Sequence, residues 1–446
     1  MNNFKLTKLS ELVTRVKVGF VGSINEYYCE RENGVPLIRT TDIDELGINY
    51  SSLKYVTKEF HIKNKKSQIK KGDLIIARHG ENGKANVFKE EFDAQVLNAV
   101  IIEPDQNKLE SNLLKYYFDS PFVKKQILGV VKGSVQGVIN TAHVADVLIP
   151  ISDAINYKGL SKIINALDSK IELNNRINTE LEAMAKTIYD YWFVQFDFPD
   201  KNGKPYKNSG GKMGWNEELK REIPQGWEVK FLRTEIEIQR GISYTSKEIN
   251  GDGIPMINLN SFNLDGTYKS EGVKTYSGKF TEKNIVKSGD LLIAATDVTR
   301  NADIIGRAIL VPDYYKEHLV FSMDIAKILS ESIPYSFLMM LFNSAHYHNY
   351  IKWFATGTIV LHLNLDGVNR YQTELPPTNL MKQFDDFYLP IANRIYMTAK
   401  ENQKLTELRD WLLPMLMNGQ VKVGDETEME LSMAAEPKTE YKKNVK

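Results

Sequence analysis

The sequence predicts an α/β (α+β) fold made of two tandem globular units, each followed by a long helix. The two helices are expected to pair as an antiparallel coiled coil with pseudo-twofold symmetry. Three observations predict this. First, the strand-like phrase "KKGDLIIARHG" (residues 70–80) returns as "KSGDLLIAATD" (residues 287–297). Second, its neighbours return in the same order: "GVPLIRTTDID" (34–44) as "GIPMINLNSFN" (253–263), and "KGSVQGVI" (132–139) as "TGTIVLHL" (356–363). Internal repetition on this scale sets architecture before any single motif does. Third, each copy ends in a seam of apolar residues stepping by threes and fours, the pattern of a helix that needs a helical partner.

The elements follow in chain order. Residues 1–155 form the first globular unit, in which "SNLLKYYFDSPFVKKQI" (111–127) reads as amphipathic helix, matched by "IPYSFLMMLFNSAHYHNYI" (333–351) in the second. A spacer helix over 156–194 carries Ile163, Leu167, Ile171, Ile177, Leu181, Met184, Ile188 and Tyr191 in one seam, stepping mostly by three and four. Residues 195–225 are rich in Gly, Pro, Lys and Asn and read as a flexible linker. The second unit spans 226–378, and a second spacer helix covers 379–421. There Phe384, Tyr388, Ile391, Ile395, Leu405, Leu408 and Leu412 make the seam, and Pro390 should kink the helix or begin it. Sliding one seam along the other superposes Ile171 on Ile395, Asn178 on Asn402 and Leu181 on Leu405. These six are the expected helix-pairing residues, with the two amides either fixing register or facing solvent. About 30 helical residues make a rod of roughly 45 Å, somewhat longer than the ~34 Å between successive major-groove faces of duplex DNA. The charged, aperiodic 422–446 reads as a disordered tail.

Composition narrows the function classes. The 446 residues suffice for two or three cores, and 57 Lys+Arg balance 57 Asp+Glu, so any basic face must be local. Cys29 is the single cysteine, which rules out an intrachain disulfide and a cysteine-based zinc cluster and fits a reducing compartment. With neither an apolar leader nor a stretch approaching the roughly 20 apolar residues of a membrane span, the expected location is cytoplasmic.

Catalytic signatures are poor. Asp200 and the Glu218-Leu219-Lys220 triplet could hold Mg²⁺ in a nuclease, but they sit at loose spacing in the linker, whereas catalysis needs preorganised ligands. "GENGKA" (80–85) lacks the spacing and the hydroxyl residue of a phosphate-binding loop and reads as a turn. Neither an Asn-Pro-Pro-Tyr-type methyltransferase element nor a helicase motif occurs. The chain therefore reads as non-catalytic, with no catalytic residue, no metal ligand and no cofactor of its own.

Five stretches carry a family resemblance: "PLIRTTDI", the repeated "GDLLIA"-like strand, "KIINALDSKIELNNRINTELEAMAKTIYDYWFVQFDF", "SGGKMGWNEELKREIPQGWEV" and the ending "LLPMLMNGQV". Together they span nearly the whole chain, and the sequence resembles the specificity (S) subunit of type I restriction-modification systems. The resemblance implies that each globular unit is a target recognition domain reading one half of a split, asymmetric sequence in double-stranded DNA. It also implies that the paired helices set the spacer and dock methyltransferase subunits, two of them, and that restriction-translocase subunits join that core. S-adenosylmethionine, ATP and Mg²⁺ would then belong to the partner subunits, with no membrane involved. "GSVQG" keeps a Gln that family members often show; "GTIVLHL" has none.

DNA contact needs donors for phosphates and amide or planar side chains for base edges. In the first unit the candidates are Arg39, Thr40, Lys65, Lys66, Arg78, His79, Lys84, Ser134 and Gln136. Lys65 and Lys66 belong to a lysine-rich run that could equally be a solvated loop. Arg78 could fork onto guanine or pair with Glu81 or Glu90, and Arg39-Thr40 sits where a cap at Thr41-Asp42 is an alternative. In the second unit the analogous strand ends hold Asn258, Asn260, Arg300, Asn301 and Thr358, although an Asn in a turn often bonds its own backbone. The aromatic run Tyr189, Tyr191, Trp192 and Phe193, with Trp411 near the end of the second helix, either packs in a core or forms a docking patch. The competing classes are a Mg²⁺-dependent nuclease built on the linker carboxylates and an interaction scaffold without DNA specificity.

Overall fold

In the computed structural model, residues 4–43, 47–78, 83–133, 138–264, 266–315 and 318–423 are described. The chain divides into two compact units, Met1–Lys170 with Leu405–Lys446, and Ile171–Lys404. Both divisions fall inside the long helices Tyr157–Tyr189 and Thr378–Met417. The physical reason is the apolar stripe of each helix. Either unit covers its helical layer with one segment from each long helix, so compactness cuts the helices in the middle.

The first unit is two four-stranded sheets and a helical layer. One sheet has the order Val13–Val18, Ala99–Pro104, Leu74–Ala77, Ala85–Val87, all antiparallel. The other has the order Lys54–Thr57, Gly34–Arg39, Ala94–Leu97, Gln68–Ile69, in which Gly34–Arg39 and Ala94–Leu97 run parallel. Strand Lys5–Lys8 pairs separately with Leu148–Ile151. The second unit repeats this wiring. Its sheets order Glu237–Arg240, Ile325–Leu329, Leu291–Ala294, Ala308–Leu310 and Lys274–Tyr276, Ile249–Ile257, Leu319–Phe321, Ile285–Val286, again with one parallel pair at the same place. Glu228–Phe231 with Gln372–Leu375 repeats the separate pair.

The duplicated phrase is the middle of this fold. Leu74 and Ile76 pack into the helical layer with Leu113, Tyr117 and Ile127, while Ile75 and Ala77 face Ile38, Phe88 and Val96 on the other side. Leu291 and Ile293 against Leu292 and Ala294 do the same in the second unit. A strand buried on both faces reads as a continuous apolar run rather than as alternation, which explains "LIIA" and "LLIA". The preceding Gly-Asp is the turn that launches it. Gly72 and Gly289 have φ of +89° and +82°, where glycine is favoured. The following carboxylates accept the backbone N–H groups of Lys70 (2.9 Å) and Lys287 (2.7 Å).

Two expectations are corrected here. Residues 195–225 are not a flexible linker: Phe198 stacks on Tyr206 and Trp227, with ring centroids 4.6 and 5.6 Å away. Phe196 and Phe193 are buried beside them, the Arg221 guanidinium lies over the Phe196 ring, and Met213–Asn216 pairs with Arg221–Pro224 as a hairpin. Aromatic burial outweighs the Gly/Pro/Lys composition on which the expectation rested. Pro390 neither begins nor ends a helix, because Thr378–Met417 passes through it; the proline is exposed, so the carbonyl it leaves unpaired faces water.

The helical layer is antiparallel within each unit. In the second, Asn174, buried, donates to Glu401 and Asn402 (both 2.8 Å), Asn402 donates to Asn175 (2.7 Å), and Asn178 donates to the Ile395 carbonyl (3.3 Å). The expected Asn178–Asn402 amide pair is therefore replaced by two separate contacts, and Asn174 is the buried amide. Leu181 and Ile395 pack against the second core, and Ile171 is half-buried. In the first unit Leu405 is half-buried, and Asp168 receives Arg409 (3.1 Å) and the Tyr116 hydroxyl (2.7 Å). Tyr189 and Phe193 are core, whereas Tyr191 and Trp411 stay exposed. Residues 424–446, the bulk of the expected tail, lie outside the described residues.

Candidate nucleic-acid interface

In both units a glycine beyond the buried strand is hydrogen-bonded back to the strand's last residue. In the second unit Gly306 (φ +70°) donates to the Ala294 carbonyl and Ala294 donates to the Arg307 carbonyl, both at 2.9 Å. In the first, Gly83 (φ +89°) donates to Ala77 (3.2 Å) and Ala77 to Lys84 (3.1 Å). Each glycine lies against an isoleucine of the helical layer, Ile351 or Ile127. A later segment closes on the loop: Leu363 donates to the Ala295 carbonyl (2.8 Å), and Ile139 to the Arg78 carbonyl (3.3 Å). The frame is shared, and the sequences it encloses differ in length and composition; residues 79–82 of the first lie outside the described residues.

The second loop is built around Asp297. Its fully buried carboxylate accepts three backbone N–H groups, from Thr299 (2.6 Å), Ile304 (2.6 Å) and Ile305 (3.0 Å). That anchor leaves Val298, Arg300 and Asn301 exposed. Thr296–Asp297 pairs with Leu361–Leu363, which pairs with Ala355–Thr356, giving a small three-stranded sheet whose outer ribbon turns at residues 357–360. Thr358 is exposed on that turn. Ala295 and Thr296 also donate to the Asp324 carbonyl, and Met323 donates to Ile242, so the segments around Tyr244 and Met323 join the same rim.

The expected site residues divide accordingly. Arg300, Asn301 and Thr358 come together on this rim, and Asn260 is exposed elsewhere in the unit. Asn258 is a correction. It is 2% exposed, its amide donates to the Gly272 carbonyl (2.7 Å), and its oxygen caps Asn260 N–H (2.9 Å), so no atom is left for a base edge. In the first unit Arg39 is tied into local structure, with Nε and Nη2 on Asp42 (2.9 and 2.6 Å) and Nη2 also on the Ser52 carbonyl (2.8 Å). Thr40 donates to the Asn98 carbonyl (2.9 Å). Here the cap-like alternative describes the geometry. Arg78 is half-buried, which lowers its pKa through desolvation, and its Nε holds the Ile139 carbonyl (2.8 Å). Lys65 and Lys66 are exposed on a 3₁₀ turn and Lys84 is half-buried. His79, Ser134 and Gln136 lie outside the described residues.

Sequence reasoning missed the apolar members of the second rim, because it searched for donors only. Trp353 and Ile359 are 87% and 86% exposed, and Val298 is 65% exposed. For Ile359 the signal was the run "TIVLHL" directly after a glycine. The linker carboxylates are spent on structure: Asp200 accepts the N–H groups of Asn202 (2.8 Å) and Lys204 (2.9 Å) within a turn, and Glu218 accepts from Gln372. Among the described residues no group of three or more His, Cys, Asp or Glu could hold a metal, and no helix is long and apolar enough to cross a membrane.

Fold and rim together define a class: a tandem α/β protein with one frame used twice to carry different loops. Residues 3–183 match the family model of the type I restriction modification DNA specificity domain. The chain is 24% identical to the type I restriction enzyme MjaIX specificity subunit of Methanocaldococcus jannaschii, over 79% of this chain and 78% of that one. It is 22% identical to the HindI specificity subunit of Haemophilus influenzae, over 80% and 88%. The fold is similar to that of the type I restriction-modification system S subunit from M. genitalium, with a TM-score of 0.53 at 12% identity, covering 93% of this chain and 96% of that one. Over most of its length the chain is thus similar to specificity subunits of type I restriction-modification systems, and its residues 3–183 match the DNA specificity domain of that family.

Proposed function

We propose that this chain binds a bipartite, asymmetric sequence in double-stranded DNA, each unit reading one half, and that it docks methyltransferase and restriction subunits around the paired helices. What supports the reading is the repeated frame: two identical strand orders, each followed at the same place by a segment of different sequence, as a reader of two different half-sites requires. The second loop carries Arg300 and Asn301, the side-chain types that pair with guanine and adenine edges. On this reading the helix segments are the ruler, and S-adenosylmethionine, ATP and Mg²⁺ act in the partner subunits. The exposed Leu173, Met184, Met397, Leu408 and Trp411 on the helices are the surface offered to them.

The test is DNA competition across a salt series, using the chain with its methyltransferase partners. A sequence reader keeps a preference for its target over competitor DNA while both affinities fall with salt. Arg300→Ala and Asn301→Ala should each cost about 1–3 kcal/mol on the target and much less on random DNA. Equal losses on both would reduce the rim to non-specific charge.

A further inference from the structure

The exposed apolar residues of the second rim have no use in a purely polar readout. The ribbon Ala355–Thr356 and Leu361–Leu363 is held on one side by Thr296–Asp297, and through it by the buried Asp297 carboxylate. Its turn begins at Gly357, whose φ is +132° and whose position would put a Cβ 2.1 Å from the Val360 carbonyl oxygen, so only glycine fits. Ile359, 86% exposed, stands at the tip, and Val298, 65% exposed, follows one step beyond the Asp297–Leu361 pair on the neighbouring strand. The surrounding surface is suited to an anion. "VTRNA" (298–302) and "KWFATGTIVLHL" (352–363) contain no Asp or Glu and contribute Arg300, Lys352 and His362. An apolar tip whose flanking segments carry Arg300 and Lys352 fits a partner with an anionic backbone and an apolar feature recessed behind it.

Duplex DNA offers such a feature in the thymine C5-methyl, which faces the major groove. That groove, about 12 Å wide, admits a two-stranded ribbon, and the methyl is displayed there and not in the minor groove. We propose that the ribbon enters the major groove and that Ile359 reads a thymine methyl in the half-site of the second unit, with Val298 completing the apolar contact. This rests on the DNA-reading function proposed above and adds to it a residue and a base. The half-site of the second unit then contains at least one A·T pair whose thymine is recognised by its methyl group.

The experiment starts from the half-site that changes when residues 226–378 are exchanged with those of a relative. Each thymine in it is replaced by deoxyuridine, which removes the methyl alone, and binding is measured for the full chain with its methyltransferase partner. The expected result is one position where deoxyuridine weakens binding roughly three- to fivefold, the worth of about one buried methyl. With Ile359→Ser, an exposed position whose change leaves the core intact, thymine and deoxyuridine at that position should bind alike. A half-site without an A·T pair, or one in which no deoxyuridine effect depends on Ile359, overturns the proposal while leaving DNA reading in place. Loss of every sequence preference in the wild-type complex would instead remove the underlying reading and the proposal with it.

Discussion

At the residue scale, two buried titratable groups give the units opposite responses to acid. His348 is 5% exposed, and burial beside Arg307 and Lys352 pushes its pKa down to about 4. The unfolded chain takes up its proton near 6.5 and the folded unit only near 4, so stability is present above about pH 6.5 and lost as pH falls toward 4. The loss amounts to about 2–3 kcal/mol. Asp73 is the reverse: burial raises its pKa to about 6, so its carboxylate penalises the folded first unit as pH rises from about 4 to 6. Hydrogen exchange resolved by unit across pH 4–7 should show the second unit weakening toward acid, with His348→Gln flattening that slope. Asp73→Asn, which keeps an acceptor for Lys70 N–H, should stabilise the first unit by up to about 2 kcal/mol at pH 7 and by little at pH 4. An unchanged slope in either variant would mean that the group is not held as described. At this scale the sequence was least legible. Asn258 and Arg39 looked like readers because residue type and strand-end position are shared by readers and caps, and only hydrogen-bond partners separate the two.

At the element scale, the long helices and the duplicated strand were legible because their signals are periodic or continuous. Helix 156–194 was expected, and Tyr157–Tyr189 is followed by a π-helical turn at Asp190–Val194. The amide that fixes the helix contact was misplaced by one turn. Asn178 lies on the seam by superposition, yet Asn174 is the one buried at 1%, with two side-chain partners on the facing helix. Asn174→Ala should cost about 1–3 kcal/mol in chemical denaturation by removing both hydrogen bonds from a buried contact, whereas Asn175→Ala, at an exposed position, should cost clearly less. The glycines closing the two reading loops are a second test. Gly306→Ala forces a left-handed φ of +70° on an L-residue and places a Cβ 2.8 Å from Ile351, so a loss of about 1–3 kcal/mol is expected. A neutral result at either position would show that the frame is looser than its hydrogen bonds imply.

At the scale of the whole molecule, the repeat was legible in the sequence, and the proposed function predicts that the two units read independently. Each unit has its own two sheets, its own core and its own loop frame, so a change of loops in one should leave the other's specificity untouched. The packed segment 195–225 was misread because its glycines and lysines outnumber the aromatic residues that anchor it. The measurement that tests the account most directly is adenine-methylation mapping by long-read sequencing in cells expressing this chain with its methyltransferase partners. It is made with and without exchange of residues 226–378 for those of a relative. The account predicts a split methylated motif with a fixed gap, in which the exchange changes one half and leaves the other half and the gap as they were. A motif that changes in both halves, or partners that are active but methylate no defined motif, would contradict it.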